Sequence, residues 1–173
     1  MKRNLILTST LIMTLSLVGC GQKNTDPSAN SNEITEQTQQ TTTSVASMDD
    51  IKSTILTTDL LRAPFDEAID AKESFIFGEV ADKIEEGFVS QAMMNVKFQD
   101  VIVVKTSDVE TIKTTIEDYL ASDTVKPFQN GYGGEDNIEA VNNAILSSTG
   151  DYVYLIATPN AKDIESKLLE VLN

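Results

Sequence analysis

The chain reads as an α+β domain, and three observations carry that reading. Val101-Ile102-Val103-Val104 is a continuous β-branched apolar run, the pattern of a strand covered on both faces or close to it. Val109, Ile112, Ile116, Tyr119 and Leu120 recur at helical spacing and form one apolar stripe, with Lys113, Glu117 and Asp118 left to water. A similar unit recurs near the C-terminus, where Asp151-Tyr152-Val153-Tyr154-Leu155-Ile156-Ala157 precedes a second amphipathic stretch.

Taken in order, Ser47 is a candidate N-cap with Asp49 and Asp50 in the first turn, a variant of the capping box. Ile51, Ile55 and Leu56 share the face of the helix it opens, and Thr57-Thr58 weakens its end. Pro64 breaks any long helix over 59–77, where Phe65, Ile69, Phe75, Ile76 and Phe77 all need burial. A short helix is expected from Glu79 to Glu86, with Val80 and Ile84 inward and Gly87 just past its end. Phe88–Asn95 and Asp100–Lys105 read as two strands, with residues 96–99 near the turn. Ser107-Asp108-Val109-Glu110 has capping-box form and opens the striped helix. In the second unit, Ala144–Ser148 is a strand and Thr149-Gly150 the turn. Pro159-Asn160 leads into a helix with Ile164, Leu168, Leu169 and Leu172 inward. The pattern is β-β-α twice, preceded by N-terminal helices. A small antiparallel sheet with helices on one face satisfies it economically.

The first residues have a different character. Lys2 and Arg3 precede an apolar run from Leu5 to Val18, of a length that suits a signal peptide and is short for a bilayer span. The run ends at Leu17-Val18-Gly19-Cys20, which holds the only cysteine. This stretch resembles the lipobox of bacterial lipoproteins, in which the cysteine thiol receives a diacylglycerol and the chain is cut just before it. The resemblance implies a signal peptide over 1–19 and lipid (palmitate-type) attachment at Cys20. Residues 20–47 are polar and almost free of apolar side chains. They read as a disordered tether with a span of roughly 30 Å. Residues 48–173 then form a single α+β domain.

The chain carries 13 basic and 27 acidic residues, a net charge of −14. Loss of residues 1–19 removes Lys2 and Arg3 and no acid, which takes the charge to −16. So acidic a body opposes binding to nucleic acid and to anionic headgroups. The membrane is then held through the lipid on Cys20 alone.

Ala92-Met93-Met94, the Asp100–Lys105 strand with its helix, and Gly150-Asp151-Tyr152-Val153 together resemble a family of uncharacterised Gram-positive lipoproteins carrying a domain of unknown function. The resemblance spans about residues 50–172. It implies a location and a small α/β domain, and it transfers no active site.

The chain contains no histidine, which removes imidazole acid–base work and histidine-dependent triads and zinc sites. The lone cysteine is committed to lipid, and no serine has a lysine three positions on. Gly131-Tyr132-Gly133-Gly134 lacks the spacing of a phosphate loop. Carboxylates are abundant: Asp66, Glu67, Asp70, Glu73, Glu79, Asp82, Glu85 and Glu86. They lack calcium-loop spacing and read as solvated faces. No catalytic residue, metal site or cofactor is expected.

One loop stands out as a contact candidate. Over Asn130–Asn137, an aromatic sits among glycines and amides, a combination suited to adaptable binding. Asn130 and Tyr132 are its candidate partner-contact residues. The expected function is a non-enzymatic binding domain on a lipoprotein at the outer face of the bacterial cytoplasmic membrane. Its partner would be an unidentified envelope protein or peptide. The alternatives are a solute-binding lipoprotein of a transport system and, last, a carboxylate-based hydrolase.

Overall fold

A computed structural model describes residues 46–63 and 65–173. The expected signal peptide, Cys20 and the tether through residue 45 lie outside the described residues. Helix α1 (Met48–Leu56) starts at Ser47, whose hydroxyl accepts from the Asp50 amide while Asp50 reaches back to the Ser47 amide. That reciprocal pair satisfies two of the donors a helix start leaves open. A two-residue strand β1 (Ile69–Asp70) follows, then three single turns of 3₁₀ helix at 71–73, 75–77 and 81–83. Next come β2 (Ile84–Gln91), β3 (Asp100–Thr106) and α2 (Val109–Leu120). The short α3 (Lys126–Gln129), α4 (Glu135–Asn142), β4 (Ile145–Thr149), β5 (Tyr152–Ala157) and α5 (Ala161–Leu172) complete the order.

The five strands form one antiparallel sheet in the order β1-β2-β3-β5-β4. The α+β class and both β-β-α units stand, and the helices lie differently from the expectation. They cover both faces of the sheet, not one. Ile102, Val104, Val89, Val153 and Leu155 pack with Ile112, Ile116 and Tyr119 of α2. Their alternating neighbours Val101, Val103, Phe88, Tyr154 and Ile156 pack with Ile51 and Ile55 of α1 and Ile164 and Leu168 of α5. Side chains alternate across a strand, so the unbroken apolar run of β3 needs cover on both sides, and one layer of helices could not supply it.

Three local expectations are corrected. No α-helix occupies Glu79–Glu86: a single 3₁₀ turn at 81–83 is followed at once by Ile84, which begins β2 four residues before Phe88. Gly87 is therefore a strand residue. A Cβ there would stand 2.6 Å from the Val103 carbonyl oxygen and 3.2 Å from Ala71 Cβ, so the glycine permits close approach. The cap of α2 is Asp108, not Ser107. Its carboxylate accepts from the Thr111 amide, and Thr106 Oγ1 accepts from the Asp108 amide. Burial over 59–77 is also uneven, since Phe77 is fully buried while Phe75 is 67% and Ile69 44% exposed.

Candidate functional site

The expected contact loop is shorter than Asn130–Asn137, because Glu135 through Asn137 already form the first turn of α4. What remains is Asn130–Gly134, with Gly131, Gly133 and Gly134 at positive φ, where side chains are strained. Asn130 is exposed and ends α3. Tyr132 is 51% exposed, with its ring 5.6 Å from that of Phe128, which in turn lies 5.3 Å from Phe98. The tyrosine thus stands on an aromatic base and faces solvent.

The structure joins this loop to a second one. Asn137 is 1% exposed, and its Nδ2 donates both to Val96 O (2.9 Å) and to Tyr132 O (2.7 Å). Its Oδ1 accepts from the Phe98 amide at 3.0 Å. Both donors and one of the two acceptor positions of that buried amide are used, which ties the two loops together as a clamp. Gly133 lies so close that a Cβ would fall 1.9 Å from Val96 O. The clamp brings Tyr132 beside the connection between β2 and β3, where Met93 is 58%, Met94 44% and Val96 40% exposed. Thioethers are soft and adaptable contact groups. At the rim, Asp136 lies 3.8 Å from Arg62 and 3.9 Å from Lys97.

A second feature lies at the end of α2. A cleft of about 460 Å³ opens between the Phe75–Val80 segment and the C-terminal half of α2. Phe75 meets Tyr119 edge to face, with centroids 6.0 Å apart and planes at 73°. Behind Tyr119 is a buried polar network. Its hydroxyl donates to Asp100 Oδ2, and Gln91 Nε2 donates to both Asp100 oxygens at 3.3 Å and to the Tyr119 oxygen at 3.1 Å. Asp100 is 2% exposed. Burial pushes its carboxyl up to about 6, against the downward pull of the hydrogen bonds from Tyr119 and Gln91. Burial first, then the neighbouring carboxylate charge, holds the Tyr119 phenol far above its usual range.

The eight carboxylates noted between Asp66 and Glu86 are all exposed, as solvated faces require. By sequence pattern alone Asp100 is simply the first residue of a strand, and Tyr119 one member of an apolar stripe. The available signal was that Tyr119 is the one stripe member with a hydroxyl, and a buried hydroxyl needs a partner. Among the described residues no three His, Cys, Asp or Glu side chains converge as metal ligands. No described helix is long and apolar enough to cross a membrane.

No curated protein and no solved structure matches the chain. A family model described as a domain of unknown function, DUF4358, matches residues 70–158. The match runs from the end of β1 to just beyond β5 and takes in both loops, the clamp, the cleft and the buried network. The chain belongs to the DUF4358 family.

Proposed function

We propose that this chain is a Gram-positive lipoprotein, tethered through Cys20 to the outer face of the cytoplasmic membrane, whose folded domain binds an envelope protein or peptide without catalysing a reaction. The observation that carries the binding role is the surface of Tyr132, Met93, Met94 and Val96, exposed yet held in place by the buried Asn137 clamp. A preformed apolar surface with an aromatic anchor loses little entropy when it docks. The tether rests on Leu17-Val18-Gly19-Cys20 closing an apolar run at the only cysteine.

A photo-crosslinking residue placed at Tyr132 or Met93 in living cells should capture a discrete partner. The same residue at the exposed Lys167 of α5 should not. Tyr132→Ala should weaken the captured adduct and change stability by less than about 1 kcal/mol. Capture from Lys167 alone, or a large loss of stability in Tyr132→Ala, would overturn the surface assignment. Cys20→Ser should abolish labelling by a fatty-acid probe, and persistent labelling would overturn the tether.

A further inference from the structure

We infer that the cleft beside α2 receives a lysine or arginine side chain from a basic segment of a partner chain. The inference rests on the reading of the domain as an interaction module and is independent of the Tyr132 surface. Apart from Tyr119, whose hydroxyl is engaged by Asp100 and Gln91, every polar side chain lining the cleft can accept a hydrogen bond: the Glu79 and Asp118 carboxylates and the hydroxyls of Thr115, Thr124 and Ser122. No basic residue lines it. The Thr115 hydroxyl spends its proton on Thr111 O at 2.9 Å, which leaves its lone pairs to accept. Neither Glu79 nor Asp118 takes part in an ion pair among the described residues. Ammonium and guanidinium groups are donors only, so they complement such a lining.

The aromatic pair adds a second attraction. Phe75 is 67% exposed at the cleft, an unusual position for so apolar a ring. A cation over its face is drawn by the ring quadrupole. Tyr119, against which Phe75 leans, is fixed from behind by Asp100 and Gln91, so the platform is ordered before anything binds. The net charge of −14 favours approach of a basic partner over an acidic one.

The test is fluorescence anisotropy with labelled, end-capped pentapeptides carrying two lysines, two arginines or two glutamates. The full chain is held in uncharged maltoside micelles. The lysine and arginine peptides should bind and the glutamate peptide should not. Phe75→Ala and Phe75→Leu should each weaken binding about fivefold, the leucine keeping apolar bulk while removing the ring. Glu79→Gln with Asp118→Asn should weaken it about tenfold. Asp163→Asn with Glu170→Gln removes the same charge from α5 and should change binding less than twofold. An equal loss from the α5 pair would reduce the effect to the general field and overturn the site. Absence of binding by both basic peptides would also overturn it, while leaving crosslinking from Tyr132 unaffected. Competition by n-butylammonium at peptide-like concentrations would assign the cleft to a free amine and overturn the partner-chain reading.

Discussion

On one side of β3, Val101 and Val103 meet Ile51, Ile55, Ile164 and Leu168, an apolar contact between sheet and helices. On the other side, Ile102 and Val104 share their face with the Asp100–Gln91–Tyr119 network, and the Asn137 clamp and the cleft lie with the elements that cover it. Both faces are equally well buried, and their chemistry differs. The α1/α5 face rests mainly on apolar side chains at helical spacing, which many sequences satisfy, with the Tyr154 hydroxyl donating to Glu165 Oε1 of α5 at 2.8 Å. The α2 face holds polar groups that stay folded only while each finds its partner. The segment matched by the family covers the α2 face, whereas α1 and α5 lie outside residues 70–158. The helices that close the other face thus come from the flanks, while the buried network, the clamp and the cleft sit within the matched segment.

The comparison can be broken most severely on the apolar side. Val103→Asp or Leu168→Asp places an unpaired charge at a site with 0% exposure and should cost about 4 kcal/mol or more. Urea denaturation of either variant should show a collapsed or absent transition. A mild shift would mean that the α1/α5 face tolerates water, contrary to its packing.

On the other side, Asn137→Ala should cost about 2–3 kcal/mol, since it strands the Phe98 amide and two carbonyls that the clamp now satisfies. The same variant should loosen Met93, Met94 and Tyr132 together. Hydrogen exchange of residues 93–98 and 130–134 reads this directly, and faster exchange in only one loop would show that the clamp does not couple them.

The smallest effect is the most diagnostic. The folded Asp100 carboxyl titrates near 6, above its ordinary value of 3.8. Its raised value means that folding favours the protonated form. Its contribution is therefore fully present below about pH 4 and is lost as pH rises through 6. Asp100→Asn should remove that dependence. Measured against the parent chain, the variant should gain about 2 kcal/mol between pH 4 and pH 7. Its net effect at pH 7 is smaller, because an amide imitates the carboxylate hydrogen bonds imperfectly. A difference that stays flat with pH would show that Asp100 is not the buried acid described here.

Several features of the fold are local enough to be legible in the sequence. The capping box at Ser47 forms as its spacing implies, and the stripe from Val109 to Leu120 faces the sheet. The strands near Asp100 and Asp151 lie where β-branched and aromatic runs place them. The stretch Glu79–Glu86 has helical spacing at Val80 and Ile84, yet pairing with β3 through Ile84–Thr106 prevails. Long-range strand pairing outweighed local preference there. Of the contact candidates, Tyr132 could be picked out by composition, whereas the exposed Met93, Met94 and Val96 are more than thirty residues away in the chain, and only tertiary contacts, chiefly the Asn137 clamp, bring their loop to it.

The sequence by itself determined the α+β class, the antiparallel two-unit plan, the capped helices and the absence of histidine chemistry, because each depends on residue type and short spacing. Only the tertiary structure decided that both sheet faces are covered and that Asp100 is buried beneath Tyr119. It alone left Phe75 outside and made two distant loops one surface. Those outcomes depend on which segments meet in space, where a burial cost or a hydrogen-bond partner is supplied by residues that no local pattern connects.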